Sequence, residues 1–472
     1  MTDGADRPPS HERADPSTDR PSAPTSGRLR RTLPEGSSAR SIADSITRRL
    51  APDTRLGTAF DRWVIPIALF VVAWIAYAWI NHGRTAFLDY FVPLADAFLH
   101  GQLGLTESAS YLNELVPSST GLYYVVYPPA PAIVLLPPVA IFGRDFHQEY
   151  ASILMGAFNV AIASWILRGM GATRGFRVVM SLVFGFGTIV WYSATVGTSW
   201  HFAHVCATFF MLLAIRACQL DARTGLIGLL FAGAVLSRLP VAMAAPFFVA
   251  YLVDRHRREA TGDRTVFGEL GAETPPVWRS RIDLGRLVEL GAPWVAGIAV
   301  PVIAYLIYDR LRFGSPFENG YALIPGLLQE EQFKHGFFSV YNIPRQLYAM
   351  FLSMPVQVEN FPWVKSRPLG GLSIVLTSPI FLWAIKARRP DWFGVGTWAS
   401  VALILIPVLT HADPGGAQFG YRYGQDIYPF LFLLTVRGLG GRIGFEAWLA
   451  IVAGFVVNAW GMATAYYDSW YR

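Results

Sequence analysis

From about residue 60 onward, apolar runs near the ~20 residues needed to cross a bilayer recur along the chain, a recurrence few soluble folds tolerate. Hydrophobic residues make up 53% of the 472 residues and charged residues only 15%. The pattern predicts an all-α polytopic integral membrane protein with roughly ten to twelve transmembrane helices. An isoelectric point near 9.3 could suggest a nucleic-acid partner. The arginines instead lie in short clusters between apolar runs, as in cytoplasmic loops, so no nucleic acid is expected. Cys206 and Cys218 sit twelve residues apart in one apolar run, about 18 Å along a helix, too far to pair with each other.

Residues 1–57 are rich in Ser, Pro, Asp and Arg, and too poor in large apolar side chains to offset the entropy of folding. They read as a disordered basic tail. From Arg28 to Arg55 the tail carries seven arginines against Glu35, Asp44 and Asp53, which predicts a cytoplasmic N-terminus. No apolar signal-peptide core stands near its start. Residues 58–472 then form the transmembrane domain of a multi-pass plasma-membrane protein, with external loops at about 82–128 and 309–370 and a cytoplasmic loop at about 254–287.

Within that frame, Trp63–Ile80 reads as the first outward crossing. The stretch 131–142 is short and broken by paired prolines, and stays open between a short span and a re-entrant piece. Residues 225–253 are interrupted by "SRLP" and fit two short helices meeting at Arg238, a charge at membrane depth that faces either a cavity, a partner carboxylate or an interface. Further spans are expected at 290–308, 372–385, 393–409, 427–436 and 447–464, with interfacial helices in the first external loop and near "IPRQLYAMFL" in the late one.

The first external loop carries the clearest polar pattern. Asp89, Pro93, Asp96 and His100 fall on one side at helical spacing, and Phe91, Leu94 and Phe98 on the other. An amphipathic helix lying in the interface accounts for Asp96 and His100. Pro93 favours a first helical turn, so Asp89 precedes the helix, held against the membrane by Leu88, Tyr90 and Phe91. A partly desolvated carboxylate fixed there is suited to general-base work. The chain has no Walker A pattern and no strand-GxGxxG-helix context, and no soluble stretch long enough for a nucleotide-sugar domain.

The order of "DYFVPLADAFLHGQLGL", "LYYVVYPPAPAIVLLPP", "WHFAH", "SRLP", "RFGSPFENGY" and "GYRYGQ" resembles the GT-C superfamily of membrane glycosyltransferases, which includes protein mannosyltransferases and bacterial aminoarabinose transferases. The resemblance spans about residues 60–470 and rests on the shared order of short motifs. It implies a GT-C-like helical bundle, an extracytoplasmic active site, and inverting transfer of a sugar from a polyprenyl-phosphate donor to an external glycan, lipid or protein acceptor. Asp89 would take the acceptor proton. Arg238, Arg312 and Arg422 are candidates for the lipid phosphate, since guanidinium offers phosphate a fixed fork of donors. Tyr90, Asp96, Glu318, Tyr321 and Tyr421 are candidates for orienting substrate. This chain has a lone Asp-Tyr where many members carry two acidic residues, which leaves a cofactor open: His201 and His204 could join Asp89 around a divalent cation, although that spacing also suits interfacial histidines. Two other classes remain at this point: a flippase or transporter for lipid-linked oligosaccharide, and a polysaccharide polymerase or ligase.

Overall fold

A computed structural model describes residues 51, 54–82, 88–109, 112–280, 282–360, 363–367, 369–416 and 418–467. Except for Ala51 and residues 54–57, the expected basic tail lies outside these, as do Thr85 to Phe87. The first helix, α1 (Arg55–Asn81), begins inside the segment assigned to the tail. Thr54 caps it by accepting a hydrogen bond from the Gly57 amide at 2.9 Å, so the ordered chain starts earlier than composition alone implies.

The structure is a helical bundle. Among the described residues six helices are long and apolar enough to cross a membrane: α1, α4 (Gln148–Gly169), α7 (Ser199–Gln219), α10 (Leu284–Phe313), α12 (Trp392–Thr410) and α14 (Phe445–Tyr467). The pair α5 (Arg174–Phe186) and α6 (Val190–Val196), bent by 55°, forms either a broken seventh span or a re-entrant loop. This is fewer full-length helices than the ten to twelve crossings counted from sequence. The other apolar stretches are shortened. Residues 130–142 form one helix, α3 (Ala130–Phe142), with Pro137 and Pro138 inside. The stretch around Arg238 becomes α8 (Thr224–Val235) and α9 (Ala245–Thr261), separated by a 3₁₀ segment. Residues 374–386 are a helical turn plus a 3₁₀ segment, and α13 is only Tyr428–Leu439.

Burial orders the bundle. In their most apolar windows α4 and α7 are 72% and 78% buried, whereas α1 and α10 are 28% and 17% buried. The first pair is therefore central and the second faces lipid. α1 packs on α4, α4 on α7, α7 on α8 and α8 on α10. The last contact depends on glycine: a Cβ on Gly228 would lie 2.1 Å from the Trp294 carbonyl oxygen, and one on Gly297 would lie 2.1 Å from that of Gly225. Small residues let membrane helices approach backbone to backbone. On the other side α9 packs on α12, which reaches α13.

Proline also shapes contacts. Pro66 has no N–H to give the Arg62 carbonyl four residues back. That carbonyl accepts the Trp165 indole N–H instead, at 2.6 Å, tying α1 to α4.

The expected interfacial helices are both present, as α2 (Phe91–Leu99) and as the helical stretch α11 (Ile343–Leu347) continued by a π turn to Leu352. In α2, Phe91, Leu94 and Ala95 are buried, while Asp96 is half-buried and His100 exposed. Between α2 and α3 the chain forms a small antiparallel hairpin, β1 (Leu115–Pro117) with β2 (Tyr123–Val125). The cytoplasmic loop expected at 254–287 is shorter at both ends, because α9 continues to Thr261 and α10 starts at Leu284.

Candidate active site

One serine sets the geometry of the candidate site. Ser199, at the start of α7, donates its backbone N–H to the Leu88 carbonyl at 2.9 Å. Its hydroxyl accepts from the Tyr90 amide at 2.8 Å and donates to Gln148 Oε1 at 3.1 Å. The start of α2 is thereby fixed to the adjacent ends of α4 and α7. Tyr90 extends the connection: its hydroxyl donates to Asn113 Oδ1 and accepts from the Glu114 amide, both at 3.1 Å. A buried aromatic side chain thus positions the backbone of Glu114.

Glu114 faces a cavity of about 650 Å³ whose lining includes Trp200, Arg238, Tyr321, His411, Asp413, Arg422 and Tyr423. Its Oε2 accepts the Trp200 indole N–H at 3.0 Å, and the same N–H lies 2.6 Å from the Tyr127 hydroxyl. Burial is the main cause that pushes the Glu114 carboxyl up to about 7. The Trp200 hydrogen bond and the Arg422 charge pull the other way, while Asp413 and Glu330 add to the rise.

The cations of the same cavity are held by aromatic faces and by one carboxylate. Arg422 places its guanidinium carbon 4.8 Å from the Trp200 ring centre and 5.1 Å from that of Tyr423. It also donates to the Gly416 carbonyl at 2.6 Å. Arg238 lies at the break between α8 and α9, 5.5 Å from the Tyr423 ring centre. Its Nε and Nη2 reach the two Asp426 oxygens at 3.3 and 3.0 Å. His204 Nδ1 meets the same carboxylate at 2.9 Å. A charge that is costly at membrane depth is therefore paired on one side and turned toward the cavity on the other.

Three of the expected site residues line this cavity: Arg238, Arg422 and Tyr321, whose ring meets Tyr127 and Phe337 edge-on. Tyr90 acts from behind Glu114. The others lie elsewhere. Asp89 does not line the cavity; its Oδ1 accepts from the Val92 amide at 3.1 Å, capping α2. Burial, ahead of all else, pushes its carboxyl up to about 7, Glu149 adding to the rise and the Val92 hydrogen bond and Arg144 opposing it. Asp96 faces outward, 3.6 Å from His100 and 3.9 Å from Arg144. Arg312 is buried, pairs with Asp309 at 2.6 Å, donates to the Val125 carbonyl of β2 and stacks on Tyr308 with 3.7 Å to the ring centre. It fastens the hairpin to α10. Glu318 closes its own loop by accepting from the Gly320 amide at 2.8 Å. Tyr421 is fully buried and donates to Gln346 Oε1 at 2.7 Å.

His201 and His204 are both buried, and each directs Nδ1 at a protein partner, Thr198 Oγ1 at 2.8 Å and Asp426 respectively. Among the described residues no three His, Cys, Asp or Glu side chains converge to hold a metal ion. The pair does not join Asp89 in such a centre.

Glu114, His411 and Asp413 were not singled out by sequence reasoning. The available signal for Glu114 was its place in "YLNELVP", a lone acid in a mostly apolar stretch of the first external loop.

No protein-family model and no curated protein matches the chain. Among solved structures it is similar to ArnT from Cupriavidus metallidurans bound to undecaprenyl phosphate, at 15% identity and a TM-score of 0.43, over 85% of this chain and 64% of that one. It is also similar to the S. cerevisiae protein O-mannosyltransferase Pmt1-Pmt2 complex bound to the sugar donor, at 15% identity and a TM-score of 0.32, over 64% of this chain and 38% of that one. The chain therefore spans less than two thirds of the length of either protein.

Proposed function

We propose that the protein is an inverting membrane glycosyltransferase that moves a sugar from a polyprenyl-phosphate donor to an extracytoplasmic acceptor, with Glu114 as the general base. The observation that carries this reading is the cavity itself, whose aromatic lining holds a carboxyl pushed up to about 7 together with two guanidinium groups.

Each part has a chemical task. The acceptor hydroxyl gives its proton to Glu114, whose Oε1 has no protein partner among the described residues. The oxygen then forms a bond to the anomeric carbon from the face opposite the phosphate. The anomeric C–O bond breaks, and its electron pair stays on the departing lipid phosphate. Arg422 and Arg238 stabilise the charge that develops there, more effectively than they would in water because both guanidinium groups are largely shielded from it. Trp200, Tyr127 and Tyr321 supply flat apolar faces of the kind that stack on sugar rings. The alternative base is Asp89, the residue that the family resemblance marks. It has a suitable carboxyl but lies off the cavity wall.

The test is transfer by the purified protein in lipid, with a panel of radiolabelled polyprenyl-phosphate sugars and a membrane extract as acceptor. Sugar moving onto acceptor supports the reading. Labelled lipid crossing the bilayer without transfer identifies a flippase and overturns it.

A further inference from the structure

A second cluster of charge lies at the end of the bundle remote from the cavity. Ser199 and Gln148 lie at the cavity end, so the opposite ends of α4 and α7, and the start of α1, share the other end. Arg168, Arg216 and Arg62 gather there. A Cβ on Gly169 would lie 2.6 Å from Arg216 Nη1, so Arg216 crosses over the end of α4. Its Nη1 donates to Gln219 Oε1 at 3.0 Å, and Arg168 and Arg62 are the charges whose fields act on it.

None of the three has a carboxylate partner among the described residues. The nearby carboxylate, Asp61, is held by Arg174 at 2.8 Å and by Arg177 at 3.3 Å. Arg168 and Arg216 are half-buried and Arg62 exposed, and an anion seated among them would relieve the repulsion between these like charges. The preceding chain does not supply one readily, since residues 28–55 carry seven arginines against three acids.

The surroundings fix what kind of anion fits. Trp63 and Trp165 meet edge-on with ring centres 6.1 Å apart beside Arg62, and Trp63 is 50% exposed. Tryptophan concentrates at the membrane–water boundary, the depth of lipid headgroups. Next to it α1 turns Val64 and Ile67 outward, a surface suited to acyl chains. Basic pockets between transmembrane helices bind anionic headgroups. We propose that Arg62, Arg168 and Arg216 form a binding site for the phosphate of an anionic phospholipid, on the opposite side of the bundle from the cavity.

The test uses the full-length protein in detergent, titrated with phosphatidylglycerol, phosphatidylcholine or inorganic phosphate and read by native mass spectrometry and thermal melting. The wild type is expected to retain phosphatidylglycerol in preference to phosphatidylcholine and to melt higher with it, with no such gain from inorganic phosphate. Arg168→Gln and Arg216→Gln should each weaken phosphatidylglycerol binding about fivefold. Arg62→Gln changes an exposed side chain and tests the same loss without disturbing helix packing. Equal retention of both lipids, equal protection by inorganic phosphate, or unchanged affinity in Arg62→Gln together with a folded Arg168→Gln would overturn the proposal. So would a gain of tenfold or more in phosphatidylglycerol affinity on removing residues 1–50, which would make the tail the occupant.

Discussion

Trp200 holds Glu114 through its indole N–H at 3.0 Å and carries the Arg422 guanidinium 4.8 Å from its ring centre. One side chain thus sets the spacing between a carboxyl and a cation on the same cavity wall. The proposed chemistry needs that pairing, with the acid free to take a proton and the cation placed for a leaving phosphate.

Two of the three arginines expected to bind phosphate, Arg422 and Arg312, should separate cleanly. Arg422→Gln removes a cavity-lining guanidinium and should raise the donor KM or lower kcat by about tenfold or more, with little change in melting temperature. Arg312→Met leaves Asp309 buried without its ion pair and releases the β2 carbonyl. It should destabilise by about 3–5 kcal/mol and leave donor KM in the surviving folded fraction unchanged. Steady-state kinetics beside thermal melting distinguish the two.

The pH dependence of transfer follows from the direction of the Glu114 shift. A base works only when deprotonated, so activity should rise with pH through about 7 and fall about tenfold per pH unit well below it. Trp200→Phe removes a hydrogen bond that lowers the Glu114 pKa, and should move that limb to higher pH. The sign for stability is opposite. A carboxyl whose folded pKa lies above its unfolded value stabilises the fold more as pH falls from about 7, and above that its buried charge is a burden. Glu114→Gln should therefore melt no lower than wild type at pH 8, which melting curves at two pH values would check.

Helix packing gives an independent prediction. Gly228→Leu places a Cβ against the Trp294 carbonyl, where even one carbon would lie at 2.1 Å. The α8–α10 contact should open, with a loss of about 1–3 kcal/mol or more in stability. Reduced melting temperature, with the donor KM of the folded fraction intact, is the expected outcome.

Much of this was legible in the sequence, for identifiable reasons. The α2 stripe was readable because Asp89, Asp96 and His100 follow helical spacing against a buried face. Arg238 and Arg422 were readable because an arginine within apolar or aromatic chain needs a partner or a cavity. Glu114 was not, since its carboxyl acquires meaning only when Trp200, 86 residues later, folds over it. Arg312 misled for the opposite reason. Asp309, three residues before it on the same helix face, already satisfies the charge. The number of long spans was overread because a 3₁₀ break at Arg238 divides one apolar stretch, and α3, which runs through Pro137 and Pro138, has only 13 residues, so these helices are shorter than the bilayer is thick.

The most direct test of the central claim is the transfer rate of Glu114→Gln beside that of Asp89→Asn, both folded in lipid and supplied with the same radiolabelled donor and acceptor. If Glu114 is the base, its variant should lose about 10²–10⁴-fold in kcat, and Asp89→Asn should keep most of the activity. Collapse of transfer in Asp89→Asn with Glu114→Gln near wild type would contradict the account and return the base to the residue that caps α2.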